Sequence, residues 1–302
     1  MCFLDISKGF DKVNCFELLV KLMKRRTPLC LIKLLHYWFS VSQNSVKWLG
    51  HQSEWYSVKS GVRQGGVLSP LLFAVYVDDM LNKLKGYGCK YNLLKAGAFM
   101  YADDLVLLSS SIAELKRMLV VCKAELDLLD LKVNVKKCKS LRIGKRYKCK
   151  AEPVCIDGLV IQWQTEAKYL GVTIISASKF RCNFQQTKSK FYRAANAILA
   201  KLGKIDNVTI TLFLIARSAL PILTYGIEAL RLSNSELNSL NHPWHSCLCK
   251  IFRSFDNALI TDVCKVLGYK SVVELYSVRV SSFLKSLRDQ VNSESFVQNM
   301  CL

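Results

Sequence analysis

Phe99-Met100-Tyr101-Ala102-Asp103-Asp104-Leu105-Val106-Leu107-Leu108 sets two adjacent carboxylates between two apolar, strand-like runs. Along a continuous strand, alternation sends Asp103 and Asp104 to opposite faces. Neighbouring charges inside an apolar segment are costly unless something neutralises them. A divalent cation does so, and hard oxygen ligands suit magnesium. The plainer alternative is a polar hairpin turn, where Asp is common. The stretch alone leaves both open.

The composition narrows the choice. Lys and Arg number 43 against 23 Asp and Glu, a formal charge of +20 over 302 residues. Such an excess points to a polyanionic partner, nucleic acid before an anionic membrane. The apolar fraction, 51%, is ample for a packed core and too high for disorder. The 13 Cys are scattered singly without a CxxC pair, which reads as reduced, intracellular cysteine. No signal peptide opens the chain, and the best apolar run, Ile210 to Leu230, is interrupted by Arg217, Pro221 and Glu228. The expected location is therefore intracellular, nucleus or cytoplasm, with no membrane partner.

Working outward, Cys2-Phe3-Leu4-Asp5-Ile6-Ser7 reads as a buried strand carrying one carboxylate. A helix with Phe16, Leu19, Val20 and Met23 on one stripe follows, then a second opened by Pro28 with Leu31, Leu34, Leu35 and Trp38. Residues 46–58 suit a hairpin turning around Gly50 to Ser53. Gly61, Gly65 and Gly66 let a backbone come close to something, and Ser69-Pro70 suits a helix start with Ser as N-cap. A further helix is expected from about Ser111 to Leu129. A small sheet over 153–174 follows, built around the Asp157-Gly158 turn. After about Phe180 the pattern is helical, with stripes at Phe191, Ala194, Ala195, Ile198 and Leu202, an interrupted stretch from Leu212 to Leu230, and helices over 240–252 and 273–287.

Asp5, the Arg63-Gln64-Gly65 loop and Asp103-Asp104 together suit phosphoryl transfer, in which two divalent ions about 3.5–4 Å apart hold the attacking and leaving oxygens. The segments Phe3-Leu4-Asp5-Ile6-Ser7-Lys8-Gly9-Phe10-Asp11-Lys12-Val13, Gly61-Val62-Arg63-Gln64-Gly65 with Leu68-Ser69-Pro70, and Tyr101-Ala102-Asp103-Asp104 resemble three successive motifs of reverse transcriptases of the non-LTR (LINE-type) retrotransposons. Asn134-Val135-Lys136-Lys137-Cys138 resembles the next motif and Lys168-Tyr169-Leu170-Gly171 the one after. Pro221 to Glu228 is similar to a later stretch of these elements, so the resemblance covers about residues 1 to 230.

The resemblance implies an α+β fold: a right-hand polymerase palm with an antiparallel sheet and packed helices over 1–145, a primer-grip-like β-hairpin region over 146–178, and a helical thumb and C-terminal helical region over 179–302. It implies an RNA-directed DNA polymerase acting on an RNA template, a DNA primer and deoxynucleoside triphosphates. Asp5 and Asp103 would bind two Mg²⁺ ions, or Mn²⁺, with Asp104 supporting and the Ile6 carbonyl adding a ligand. Phe10 would exclude a 2′-hydroxyl. Arg63, Gln64 and Gly65 would shape the nucleotide pocket. Lys137 would protonate the leaving pyrophosphate, and Tyr169, Leu170 and Gly171 would lie at the primer grip. Thumb Lys and Arg would hold the duplex by its phosphates.

Gly9 stands where these enzymes usually carry Ala. Only four residues precede Asp5, so the expectation is an N-terminally truncated polymerase, its fingers largely missing and its solo activity weak or absent. The alternative is a non-catalytic, basic nucleic-acid-binding remnant. Two further patterns are set aside. Tyr76-Val77-Asp78-Asp79 repeats the Tyr-x-Asp-Asp spelling but lies in an expected helix, and His242, His245, Cys247 and Cys249 have no structural zinc spacing.

Overall fold

The computed structural model describes residues 1–91, 94–202 and 207–292. The chain divides between Arg181 and Cys182 into two compact units.

The first unit is built around β1 (Cys2–Ser7), whose side chains are largely buried. One edge of β1 pairs antiparallel with β3 (Asp104–Leu107), which turns back from β2 (Ala98–Tyr101). The other edge is shared by β4 (Lys132–Val133) and β5 (Lys139–Ser140), giving the order β4-β1-β3-β2 with β5 also on β1. Leu4, Ile6, Leu105 and Leu107 pack into one core beneath helices α1 (Cys15–Lys24), α3 (Ser69–Leu84) and α4 (Ile112–Leu128). Phe3 and Val106, on the opposite face, pack with Leu141, Ala167 and Ile174. The sheet is therefore apolar on both faces except at the Asp5–Asp104 end.

The helix α1 turns Leu18, Leu19 and Leu22 inward, whereas Phe16 and Met23 of the expected stripe are exposed. The roll is set by Glu17, Lys21 and Arg25, at i, i+4 and i+8. The Tyr76 hydroxyl donates to Glu17 at 3.2 Å, Lys21 donates to the Tyr76 carbonyl and to Asp79 (2.7 Å each), and Arg25 pairs with Asp78. In α2 (Leu29–Val41) Ile32 is buried with Leu35 and Phe39 against the core, while Leu31 and Leu34 face out. Ser69 is the first residue of α3 rather than its cap; its hydroxyl donates to the Arg63 carbonyl at 2.5 Å. The hairpin in 43–58 turns at Leu49-Gly50, with Lys47–Trp48 on His51–Gln52 and Gln43–Asn44 on Tyr56–Ser57.

The expected small sheet over 153–174 is two separate pairings, one a two-stranded hairpin and the other part of a three-stranded sheet. Val154–Ile156 pairs with Leu159–Ile161 through Asp157-Gly158, both at positive φ, as a type I′ turn requires. Glu166–Tyr169 pairs with Val172–Ile175 through Leu170-Gly171. A short hairpin of Cys89–Tyr91 with Leu94–Ala96, not anticipated, precedes β2.

The second unit is helical: α5 (Gln185–Leu202), α6 (Val208–Ser218), α7 (Leu220–Leu223), α8 (Asn234–Phe252), α9 (Asn257–Val266) and α10 (Val272–Asn292). The helix α9 was not expected from the sequence. The stretch Val208–Ala229, with mean hydropathy 1.6, is long and apolar enough to cross a membrane by length and composition. It is broken at Ala219-Leu220 and at Gly226, and Leu212, Ile215, Leu223 and Ile227 lie in a core with Phe191 and Trp244.

Candidate active site

The β2–β3 turn places the carboxylates. Tyr101 and Asp104 are register partners, so Ala102 and Asp103 are the two turn residues, with Ala102 at φ +52°. Asp103 and Asp104 therefore do not alternate along one strand: Asp103 sits in the turn and Asp104 begins β3. The turn and carboxylate-site readings of this stretch are compatible. Asp104 is the cross-strand partner of Asp5, which puts both side chains on one face. The Ile6 amide donates to the Asp103 carbonyl at 3.4 Å, tying the turn to β1.

The charges are felt there. The Asp104 carboxyl is pushed above the usual carboxylate range, first by burial and then by the negative charges of Asp103 and Asp5. Lys137 answers part of this charge, with Nζ 3.6 Å from Asp5 Oδ2. It is presented by a turn in which the Asn134 amide donates to the Asp5 carbonyl (2.8 Å) and the Lys137 amide to the Asn134 carbonyl (2.9 Å). Tyr169 flanks the site, its ring 5.8 Å from that of Phe3. Its hydroxyl is held above its ordinary pKa by burial and then by Asp104. Leu170 and Gly171 form the tight turn beyond it, both at positive φ.

The remaining expected residues are held by other contacts. Phe10 stacks on Phe73 of α3, centroids 4.6 Å apart and planes 14° apart. Gly9 is what admits that ring: a Cβ on Gly9 would stand 2.9 Å from Phe73 Cζ. Arg63, Gln64 and Gly65 are exposed on a loop held by Asp11 and its neighbours. Gln64 donates to Asp11 Oδ1 at 3.0 Å, and the Gly61 amide donates to the Val13 carbonyl at 2.8 Å. Gly61 (φ +94°) lies so close that a Cβ would meet the Asp11 carbonyl at 2.8 Å. Arg63 and Gln64 line a cleft of about 850 Å³ with Trp38, Phe39 and Tyr56, and neither Asp5, Asp103 nor Phe10 lines it. Asp11, part of the first motif and not expected as a metal ligand, holds the loop instead; Phe73 is the supporting residue the sequence reading missed, with the small Gly9 beside Phe10 as its signal.

Residues 1–174 match the family described as reverse transcriptase (RNA-dependent DNA polymerase). The chain belongs to that family. As a reverse transcriptase its likenesses are of the LINE type. It is 32% identical over 186 residues to a Pol polyprotein from the type-1 retrotransposable element R2 of Nasonia vitripennis, covering 57% of this chain and 18% of that protein. It is 29% identical over 218 residues to an RNA-directed DNA polymerase from the mobile element jockey of Drosophila funebris, covering 68% and 23%. The chain thus spans about a fifth of the length of these relatives. Among solved structures, apo telomerase from Candida tropicalis aligns with 98% of this chain and 52% of its own at 14% identity, with a TM-score of 0.44.

Reverse transcriptases generally use divalent metal ions, and the oxygen donors of Asp5, Asp103 and Asp104 suit such an ion. The pKa of Asp104 is raised first by burial and then by the neighbouring Asp103 and Asp5 carboxylates, whose charge a bound cation would offset. Among the described residues, no three His, Cys, Asp or Glu side chains are gathered into a ready-made cage. The repeated spelling at Asp78 and Asp79 serves packing, since Asp78 is paired with Arg25, the C-cap of α1, and Asp79 with Lys21 of α1.

Proposed function

We propose that the chain carries the nucleotidyl-transfer core of an RNA-directed DNA polymerase, extending a DNA primer along an RNA template from deoxynucleoside triphosphates. The observation that carries this reading is the register of Asp5 against Asp104, with Asp103 in the adjoining turn and Lys137 3.6 Å from Asp5. Asp5 and Asp103 would hold magnesium, as two ions, or manganese in its place, with Asp104 and the Ile6 carbonyl in support. Bound there, the ions supply charge stabilisation for the transferred phosphoryl group.

The chain's own residues do the rest. Lys137 is the proton donor to the leaving pyrophosphate. Phe10, braced by Phe73, excludes a 2′-hydroxyl. Arg63, Gln64 and Gly65 contact the incoming nucleotide or template base, and Tyr169, Leu170 and Gly171 steady the primer end. In this reading 1–145 is palm, 146–178 the grip-like region, and 179–302 a thumb holding the duplex by phosphate contacts. The work is done inside the cell, where template and nucleotides are.

Primed RNA, deoxynucleotides and magnesium test this reading. The expected result is templated extension that disappears in Asp5→Asn and Asp103→Asn. The second reading, a non-catalytic nucleic-acid binder, draws on the charge of +20. It gives salt-sensitive binding without extension, indifferent to Asp103.

A further inference from the structure

Between Asp130 and Glu152 the chain carries no acidic residue. Lys132 in β4, Lys136 and Lys137 in the following turn and Lys139 in β5 are all exposed. The next segment continues the run with Lys145, Arg146, Lys148 and Lys150, also exposed. Among the described residues, Lys137 alone of these is within salt-bridge reach of a carboxylate.

A solvated charged face mixes signs; this one does not, and it is held in place. The Gly144 amide donates to the Ala177 carbonyl at 2.9 Å, and Ser176 Oγ donates to the Arg142 carbonyl at 2.8 Å. Arg142 lies 6.0 Å from the Trp163 ring centroid and donates to the Cys149 carbonyl at 2.6 Å, closing the loop on itself. The Tyr147 amide donates to the Gly144 carbonyl at 3.0 Å and the Cys149 amide to that of Arg146 at 3.1 Å. The anchors are backbone groups, Arg142 and Ser176; of the four loop cations Lys148 lies 5.6 Å from the centroid of the neighbouring Tyr147 ring, and none is an anchor to the rest of the fold. Concentrating unneutralised like charge on an ordered scaffold costs stability, and a polyanion offsets that cost.

We propose that Lys132 to Lys150 forms an electrostatic track for the phosphodiester backbone of a nucleic acid, adjoining the site of Asp5 and Asp103. Lys137 joins the track to that site through Asp5. A membrane surface fits less well, because no large apolar side chain is exposed between Leu128 and Leu159 to enter a bilayer. The proposal rests on the polymerase reading only for the source of the strand.

The test is anisotropy titration of a labelled single-stranded RNA across a salt series. The loop variant is Lys145→Ser/Arg146→Ser/Lys148→Ser/Lys150→Ser. The control, Lys24→Ser/Lys33→Ser/Lys47→Ser/Lys85→Ser, has the same net charge change on exposed residues elsewhere. The loop variant is expected to bind on the order of tenfold more weakly at physiological salt, with a log Kd against log salt slope shallower by about 2–3. The control should change less than about twofold. Lys148→Ser/Lys150→Ser should give roughly half the slope change, which separates lost contacts from lost folding.

Equal weakening of loop and control variants overturns the track. So does loop-dependent binding to phosphatidylserine vesicles with RNA affinity unchanged. Loss of binding at the loop in a chain that never extends primers defeats the polymerase reading and leaves the track standing. Extension with binding indifferent to the loop does the reverse.

Discussion

Asp104 has its carboxyl pKa raised by burial and then by Asp103 and Asp5. A carboxyl whose folded pKa exceeds its unfolded value favours the native state when protonated. Its ionisation therefore costs stability as pH rises through that raised value. Removing one source of repulsion relieves part of this cost, so Asp103→Asn should raise the thermal midpoint at neutral pH slightly, the gain being kept small by the solvent exposure of Asp104. The gain should shrink in acid, where Asp104 is protonated in both proteins; calorimetry across pH checks it. Magnesium should raise the midpoint of the parent chain more than that of Asp103→Asn, a metal readout independent of activity. Packing at Gly9 is equally specific. Gly9→Ala sets a Cβ 2.9 Å from Phe73 Cζ and should cost about 1–3 kcal/mol by denaturant titration, with Phe73→Leu recovering part of it in the same background.

At the scale of elements, α1 and α3 are held by a stripe of ion pairs and hydrogen bonds. The Asp78 side chain is 11% exposed and pairs with Arg25, while that of Asp79 is 57% exposed and pairs with Lys21. Asp78→Ala should therefore cost about 1–3 kcal/mol, below the range for fully buried pairs because Arg25 is partly solvated. Asp79→Ala should cost under about 1 kcal/mol. Urea melts of the two variants check the difference.

This stripe also explains what the sequence could and could not tell. Phe16, Leu18, Leu19, Val20, Leu22 and Met23 are all apolar, so periodicity alone offers more than one inward face for α1. The partner helix chose, by placing Asp78, Asp79 and Tyr76 opposite Arg25, Lys21 and Glu17. The Asp157-Gly158 turn was legible because positive φ at both positions is a local demand that Asp-Gly meets. The strand carrying Asp5 was legible for the same kind of reason, a short apolar run with one charge. The pairing of Asp5 with Asp104 was not, since register between distant strands is set by the sheet. Nor was the hydrogen bond from Gln64 to Asp11, which joins a loop to a turn fifty-odd residues away.

For the whole molecule, the charge of +20 makes salt-sensitive nucleic-acid affinity an expectation of every reading, so affinity alone does not separate them. What separates them is chemistry at one hairpin. Lys137→Ala should leave stability nearly unchanged, its side chain being 68% exposed, yet lower the extension rate on the order of 10²-fold if it donates the proton. Single-turnover kinetics read that effect apart from binding. The central claim, that the second Tyr-x-Asp-Asp and not the first is the reacting one, meets its most direct test in magnesium-dependent primer extension on RNA. The parent chain, Asp103→Asn and Asp79→Asn are compared at matched concentration. The account predicts extension by the parent and by Asp79→Asn, and none by Asp103→Asn. Extension that survives Asp103→Asn, or a parent chain that makes no product, would contradict it.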